Sequence, residues 1–92
     1  MIQSFGNTET EAVFKRQRTR RFGAFQKPAL VKLLMLHAAT RIEDLRVPPG
    51  NRLEALKGDR AGQYSIRINQ QWRICFRFEN GDAYDVEISD YH

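Results

Sequence analysis

Two runs of strict alternation constrain this chain more than anything else in it. Tyr64, Ile66 and Ile68 alternate with Ser65, Arg67 and Asn69, and Trp72, Ile74, Phe76 and Phe78 alternate with Arg73, Cys75 and Arg77. A side-chain period of two belongs to a strand with one dry face and one wet face. A slip of one residue would turn every apolar side chain outward, so pairing must set oily against oily. That register makes Asn69-Gln70-Gln71 a loop, with Ile68 facing Trp72, Ile66 facing Ile74 and Arg67 facing Arg73. Like charges directly opposite destabilise a sheet, and such a pair is also what an empty anion site looks like. A further strand returns after Asn80-Gly81-Asp82, read as a three-residue hairpin with a bulge. It sets Phe78 against Tyr84, Phe76 against Val86, Ile74 against Ile88 and Arg77 against Asp85. Tyr91 then shares the face of Arg73, while Asp90 and His92 have the opposite parity at the chain end. Residues 53–56 offer one more strand ahead of this antiparallel meander.

The upstream half reads as helical. Residues 1–5 have strand character and suit a sheet edge. Thr8 with Glu11 three residues on forms a capping box for a brief helix running toward Arg16. A second helix is expected to start at Pro28 and reach Ala39, with Leu30, Leu33, Leu34 and Ala38 inward and Lys27 and Lys32 in water. Val47-Pro48-Pro49-Gly50-Asn51 ends helix and begins sheet. The expectation is one α+β domain over residues 1–92, two to three helices packed on an antiparallel sheet.

The single cysteine, Cys75, excludes an internal disulfide and reads as a packed thiol. No paired Cys/His spacing points to a metal, so none is expected, nor any cofactor. The longest apolar run, residues 33–36, is too short to span a bilayer, and with no signal peptide a cytoplasmic location is expected.

Charge is uneven. Residues 1–49 hold nine Lys/Arg against four Asp/Glu, and the formal net charge of the chain is +4. Residues 15–21 carry five of those cations: Lys15, Arg16, Arg18, Arg20 and Arg21. They form either a solvated loop or a contact for nucleic acid or an acidic partner segment. His37, alone among apolar residues, is read as structural.

The wet face of the meander collects Arg67, Arg73, Arg77 and Tyr91, with Lys57 arriving from upstream. RNA is cut without a metal when its 2′-hydroxyl attacks the adjacent phosphate. That needs a base, a cation on the phosphoryl oxygens and an acid for the leaving oxygen. Arg73 suits the phosphate because its planar fork matches it, and Arg67 can share the load. Lys57 can act as charge or acid, and Asp90, Tyr91 and His92 can move protons.

The chain resembles the HigB toxins of the RelE/ParE superfamily along its whole length. Met1-Ile2, Ser4-Phe5, Ala38-Ala39-Thr40, Leu56-Lys57-Gly58-Asp59-Arg60, Trp72-Arg73-Ile74, Gly81-Asp82-Ala83 and Asp90-Tyr91-His92 carry the likeness. Pro48-Pro49-Gly50-Asn51 ahead of Arg52-Leu53-Glu54-Ala55-Leu56 is similar to the GraT-type subgroup. The resemblance implies a RelE-like fold and an mRNA endonuclease of the ribosomal A site. It also implies a HigA-like helix-turn-helix antitoxin, through which alone the toxin would reach operator DNA. By position it assigns Lys57, Arg73, Asp90, Tyr91 and His92 to the active site. The charge run and the wet strand face add Arg67, Asn69, Arg77, Arg16, Arg18, Arg20 and Arg21 as expected RNA contacts. Some HigB toxins have His where Glu54 stands and Arg where Asn69 stands, which implies a weaker or differently tuned nuclease.

Two other classes fit the same fold. A ParE-like gyrase inhibitor would not need Arg73 with the terminal tripeptide. A non-enzymatic nucleic-acid-binding module would keep its binding when the last three residues are removed.

Overall fold

The computed structural model describes residues 1–90. Strands β1 (Glu54–Ala55), β2 (Tyr64–Arg67), β3 (Trp72–Glu79) and β4 (Asp82–Asp90) form one antiparallel sheet in the order β1-β2-β3-β4. Helices α1 (Thr8–Phe14) and α2 (Gln26–Ala38) pack against the β4 side of this sheet. The expected α+β architecture is therefore the one observed. The core lies between the layers. Ala29, Leu33 and Leu36 of α2 meet Ile66, Ile74, Phe76, Val86 and Ile88 of the sheet, and Val13, Phe22 and Leu45 complete it. Burying each Leu, Ile or Phe stabilises the fold by about 1.5–3 kcal/mol.

The alternation set the β2–β3 register correctly: Ile66 lies opposite Ile74 and Arg67 opposite Arg73. The Ile68 N–H donates to the Trp72 carbonyl at 2.9 Å. The β3–β4 turn differs from the expectation. Asn80 (φ 51°) and Gly81 (φ 84°) make a two-residue turn with both central residues left-handed, which matches strand twist. Near the turn Arg77 therefore pairs with Tyr84 and Phe78 with Ala83, not Asp85 and Tyr84. The extra residue sits deeper, as a bulge at Asp85 (φ 54°), and beyond it Ile74 meets Ile88 as expected. A left-handed non-glycine costs about 1–2 kcal/mol. Two bonds offset it: the Asp85 N–H donates to Ser4 Oγ at 2.9 Å, and its carboxylate accepts from Arg77 Nε at 2.9 Å.

Residues 1–6 run parallel to β4 through bridges Ile2–Ala83 and Phe5–Val86, as an edge segment should. Asn7, rather than Thr8, caps α1, because its side-chain carbonyl reaches the Thr10 N–H at 2.8 Å. Thr10 is buried and its Oγ1 accepts from the Ile88 N–H at 2.9 Å. His37 is structural: Nδ1 accepts from the Ile2 N–H at 3.1 Å, and the ring packs on Phe14.

Helix α2 starts two residues before Pro28 and ends at Ala38. Its inward stripe is Ala29, Leu33 and Leu36, while Val31 and Leu34 are exposed. A helix apolar almost all round does not name its own inner face. Nor does Lys32 lie free in water, since its ammonium donates to Oδ1 of the buried Asn51. No helix among the described residues is long and apolar enough to cross a membrane.

Candidate functional site

The face of the sheet turned away from the helices is built in rows. Arg67, Arg73 and Ser89 lie side by side across β2, β3 and β4, and Ser65, Cys75 and Glu87 form the next row. Ser65 and Cys75 are fully buried, so this face is covered. The cover is the β1–β2 connection, which turns through Gly58–Arg60. Arg60 ties it down. Its guanidinium donates to Gln63 Oε1 at 3.1 Å, to Glu87 Oε1 at 2.6 Å and to Ser89 Oγ at 3.3 Å. The bond to Glu87 raises the Arg60 pKa further, so the guanidinium is permanently charged.

Two basins open beside this tether. One, of about 520 Å³, is lined by Glu54, Lys57, Asp59, Arg60 and Arg73, with Ala55 and Leu56. The other, of about 370 Å³, is lined by Asn7, Arg21, Arg60, Arg73 and Asp90, with Glu87, Ile88 and Ser89. Arg60 and Arg73 belong to both and stand between them. The Arg73 side chain is only 14% exposed, and its Nη1 lies 3.9 Å from Glu54 Oε1. Among the described residues, four cations (Arg21, Lys57, Arg60, Arg73) and four carboxylates (Glu54, Asp59, Glu87, Asp90) line the pair. Each basin offers charge for a phosphate beside carboxylates that accept protons, and the two share Arg60 and Arg73.

Of the expected residues, Arg73 lines both basins, Lys57 the first and Asp90 the second. Asp90 arrives from the far side of its own parity: it lies opposite Trp72, and Gln71 Nε2 donates to its Oδ2 at 3.3 Å. The assignments on Tyr91 and His92 fall outside the described residues. Arg67 adjoins Arg73 across the ladder without lining either basin. Asn69 spends its side-chain oxygen on the β2–β3 turn, accepting from the Gln71 and Trp72 N–H groups at 2.8 Å each.

The remaining arginines separate. Arg77 lies four residues along β3, about 13 Å from Arg73 at the usual strand rise. It is bonded to Asp85 and Glu79 and stacked over Tyr84, and the Asp85 bond raises its pKa. Arg21 reaches the second basin, bonded to Glu9 at 3.1 Å and lying over the rings of Phe22 and Trp72. Arg16 and Arg18 line a different groove on the helical layer, and Arg20 is exposed.

Sequence reasoning missed Arg60, Glu87, Asp59 and Asn7 as lining residues. The alternation carried a usable signal for one of them: Glu87 has the parity of Cys75 and Arg73 once the bulge is placed. Nothing local foretold that Arg60 would cross three strands.

The model of the HigB-like toxin family, the RelE-like toxin of type II toxin-antitoxin system HigB, matches residues 3–92. The chain is 43% identical over 60 residues to Toxin HigB-1 of Vibrio cholerae, a match spanning 65% of this chain and 63% of that protein, just under two thirds of its length. It is 37% identical over 93 residues, the whole of both chains, to a Proteus vulgaris protein named endoribonuclease HigB. Among solved structures, a YafQ mutant from Escherichia coli superposes with a TM-score of 0.66 at 12% identity, covering 98% of this chain and 91% of that one. A chain of the heterotetrameric YoeB-YefM toxin-antitoxin complex of Staphylococcus aureus gives 0.59 at 20% identity, covering 100% and 95%. At these identities the superpositions show a shared fold.

Proposed function

The chain belongs to the HigB-like family of RelE-like toxins of type II toxin-antitoxin systems, and from that premise we propose that it is an endoribonuclease that cuts messenger RNA in the ribosomal A site without a metal. The observation that carries this reading is the position of Arg73, between a basin holding Lys57 and one holding Asp90. A phosphate seated there meets the Arg73 fork, whose planar geometry suits two phosphoryl oxygens.

The step is an in-line displacement. A base takes the proton of the 2′-hydroxyl, and the 2′-oxygen bonds to phosphorus. The bond to the 5′-oxygen breaks, and that oxygen receives a proton. The products are a 2′,3′-cyclic phosphate and a 5′-hydroxyl. Arg73, with Arg60 beside it, stabilises charge gathering on the phosphoryl oxygens. Lys57 serves as acid or second charge, and Asp90, Tyr91 and His92 serve proton transfer. Glu54 stands where some HigB toxins have His, and its carboxylate lies beside Arg73 in the lining of the first basin. The ribosome supplies alignment of the message, which carries much of the rate. A HigA-like helix-turn-helix antitoxin neutralises the toxin and carries it to operator DNA, and the toxin works in the cytoplasm where ribosomes are.

The test is mapping of cut sites on ribosome-bound message with wild type, Arg73→Ala and a variant lacking Tyr91 and His92. The expected result is in-frame cutting that leaves 2′,3′-cyclic phosphate ends, lowered about 10²–10³-fold by Arg73→Ala. Absence of cutting, with an induced DNA-damage response instead, would move the protein to the gyrase-inhibitor class.

A further inference from the structure

The largest hollow among those described here lies away from both basins. It holds about 610 Å³ between the loop after α1 and the first half of α2, and it shares no lining residue with either basin. Arg16, Arg18 and Lys27 rim it, and among the described residues no acidic one lines it. The neighbouring cations are neutralised: Lys15 pairs with Glu11 and Arg21 with Glu9, both at 3.1 Å. Arg16, Arg18 and Lys27 make no ion pair among the described residues.

The groove is also preformed. Gln26 at the head of α2 staples the loop. Its Oε1 accepts from the Thr19 N–H and hydroxyl at 3.1 and 3.0 Å, and its amide donates to the Gln17 carbonyl. Arg16 turns the chain in the left-handed region (φ 61°), and Gly23 leaves space unfilled. Half-buried Leu30 supplies apolar floor.

We propose that this groove docks an acidic, amphipathic segment of a protein partner, with carboxylates at Arg16, Arg18 and Lys27 and one apolar side chain on Leu30. RNA would use the charges but finds no aromatic side chain in the lining for its bases to stack on, whereas such a peptide uses both the charges and the aliphatic Leu30. Ordered walls lower the entropy cost of docking. The proposal goes beyond the nuclease reading and does not depend on it.

The test uses the isotope-labelled full chain and two probes followed by amide chemical shifts. One probe is a helix-forming peptide with glutamate on one face and leucine on the other. The other is a single-stranded RNA made uncleavable by 2′-O-methylation. The expected result is that the peptide shifts amides over residues 16–30 and that raising salt from ~50 to ~300 mM weakens it. Charge reversal in Arg16→Glu/Arg18→Glu/Lys27→Glu should weaken it about tenfold or more. These side chains are exposed, so the variant's own spectrum verifies its fold. A peptide with serine for leucine should bind markedly less. Three results would overturn the proposal: no peptide-induced shift in the groove, equal binding by the serine peptide, or stronger perturbation of the groove by RNA than by peptide.

Discussion

Replacing Arg60 by alanine should loosen the cover of the site and slow cleavage together. The guanidinium holds Gln63, Glu87 and Ser89 at 3.1, 2.6 and 3.3 Å. The Arg60 and Glu87 side chains are 34% and 24% exposed, so the pair is neither fully wet nor dry. An exposed ion pair contributes about 0–1 kcal/mol and a charge-assisted hydrogen bond about 1.5–3 kcal/mol, which brackets the loss at about 1–2 kcal/mol after screening. In a domain of this size that lowers Tm by about 5–15 °C. Cleavage should fall about 10–100-fold at a temperature where both proteins are folded, because a site cation disappears and the loop bearing Lys57 loses its tether. Arg60→Lys keeps the charge but not the three-way span, and should recover only part of the rate. Urea unfolding gives the stability, and a double-mutant cycle with Glu87→Ala should show a coupling of about 1 kcal/mol. If Arg60→Ala unfolds within about 0.3 kcal/mol of wild type and cuts message at the wild-type rate, the tether argument is wrong.

Gly81→Ala should destabilise by about 1–2 kcal/mol in urea, because φ is +84° there and a Cβ would stand 3.1 Å from the Thr40 carbonyl oxygen. The Thr40 and Arg41 N–H groups hold the Asp44 carboxyl below its ordinary pKa of 3.8. Its contribution is therefore present above that pH and lost as pH falls through the depressed value, so Asp44→Asn should flatten the acid limb of stability against pH. Glu54→His should raise cleavage by about tenfold and add a titration to the rate profile below the ordinary imidazole value of about 6.5, because the Arg73 guanidinium disfavours the imidazolium. An unchanged profile would show that a group at position 54 takes no part in proton transfer.

The sheet was legible because packing on the helices writes an apolar period of two into β2 and β3, although the covered opposite face also buries Ser65 and Cys75, and matching apolar to apolar fixes the register. The β3–β4 hairpin was legible only beyond its bulge. Ala83 and Val86 are three apart on the inner face, and an extra residue at the turn or inside the strand explains that spacing equally well. Helix α2 was visible as a helix, but Val31, Leu34 and Leu36 are alike in hydropathy, so only packing against the sheet chose Leu36. Arg73 and Lys57 converge because parity and the short β1–β2 connection place them. Arg60 was invisible because its partners lie 27 and 29 residues away, and no local pattern encodes a reach across three strands.

The flank of β4 is occupied from Ala83 to Ile88. The N-terminal segment saturates it near Ala83 and Val86, and the Thr10 hydroxyl takes the Ile88 N–H. Over that stretch, strand addition from another molecule would have to displace the N-terminal segment. The opposite margin is shielded by only the two residues of β1, next to Arg67. On that border the outermost strand carries the Glu54 carboxylate, so a second polypeptide adding there meets an acidic side chain beside a very short ladder.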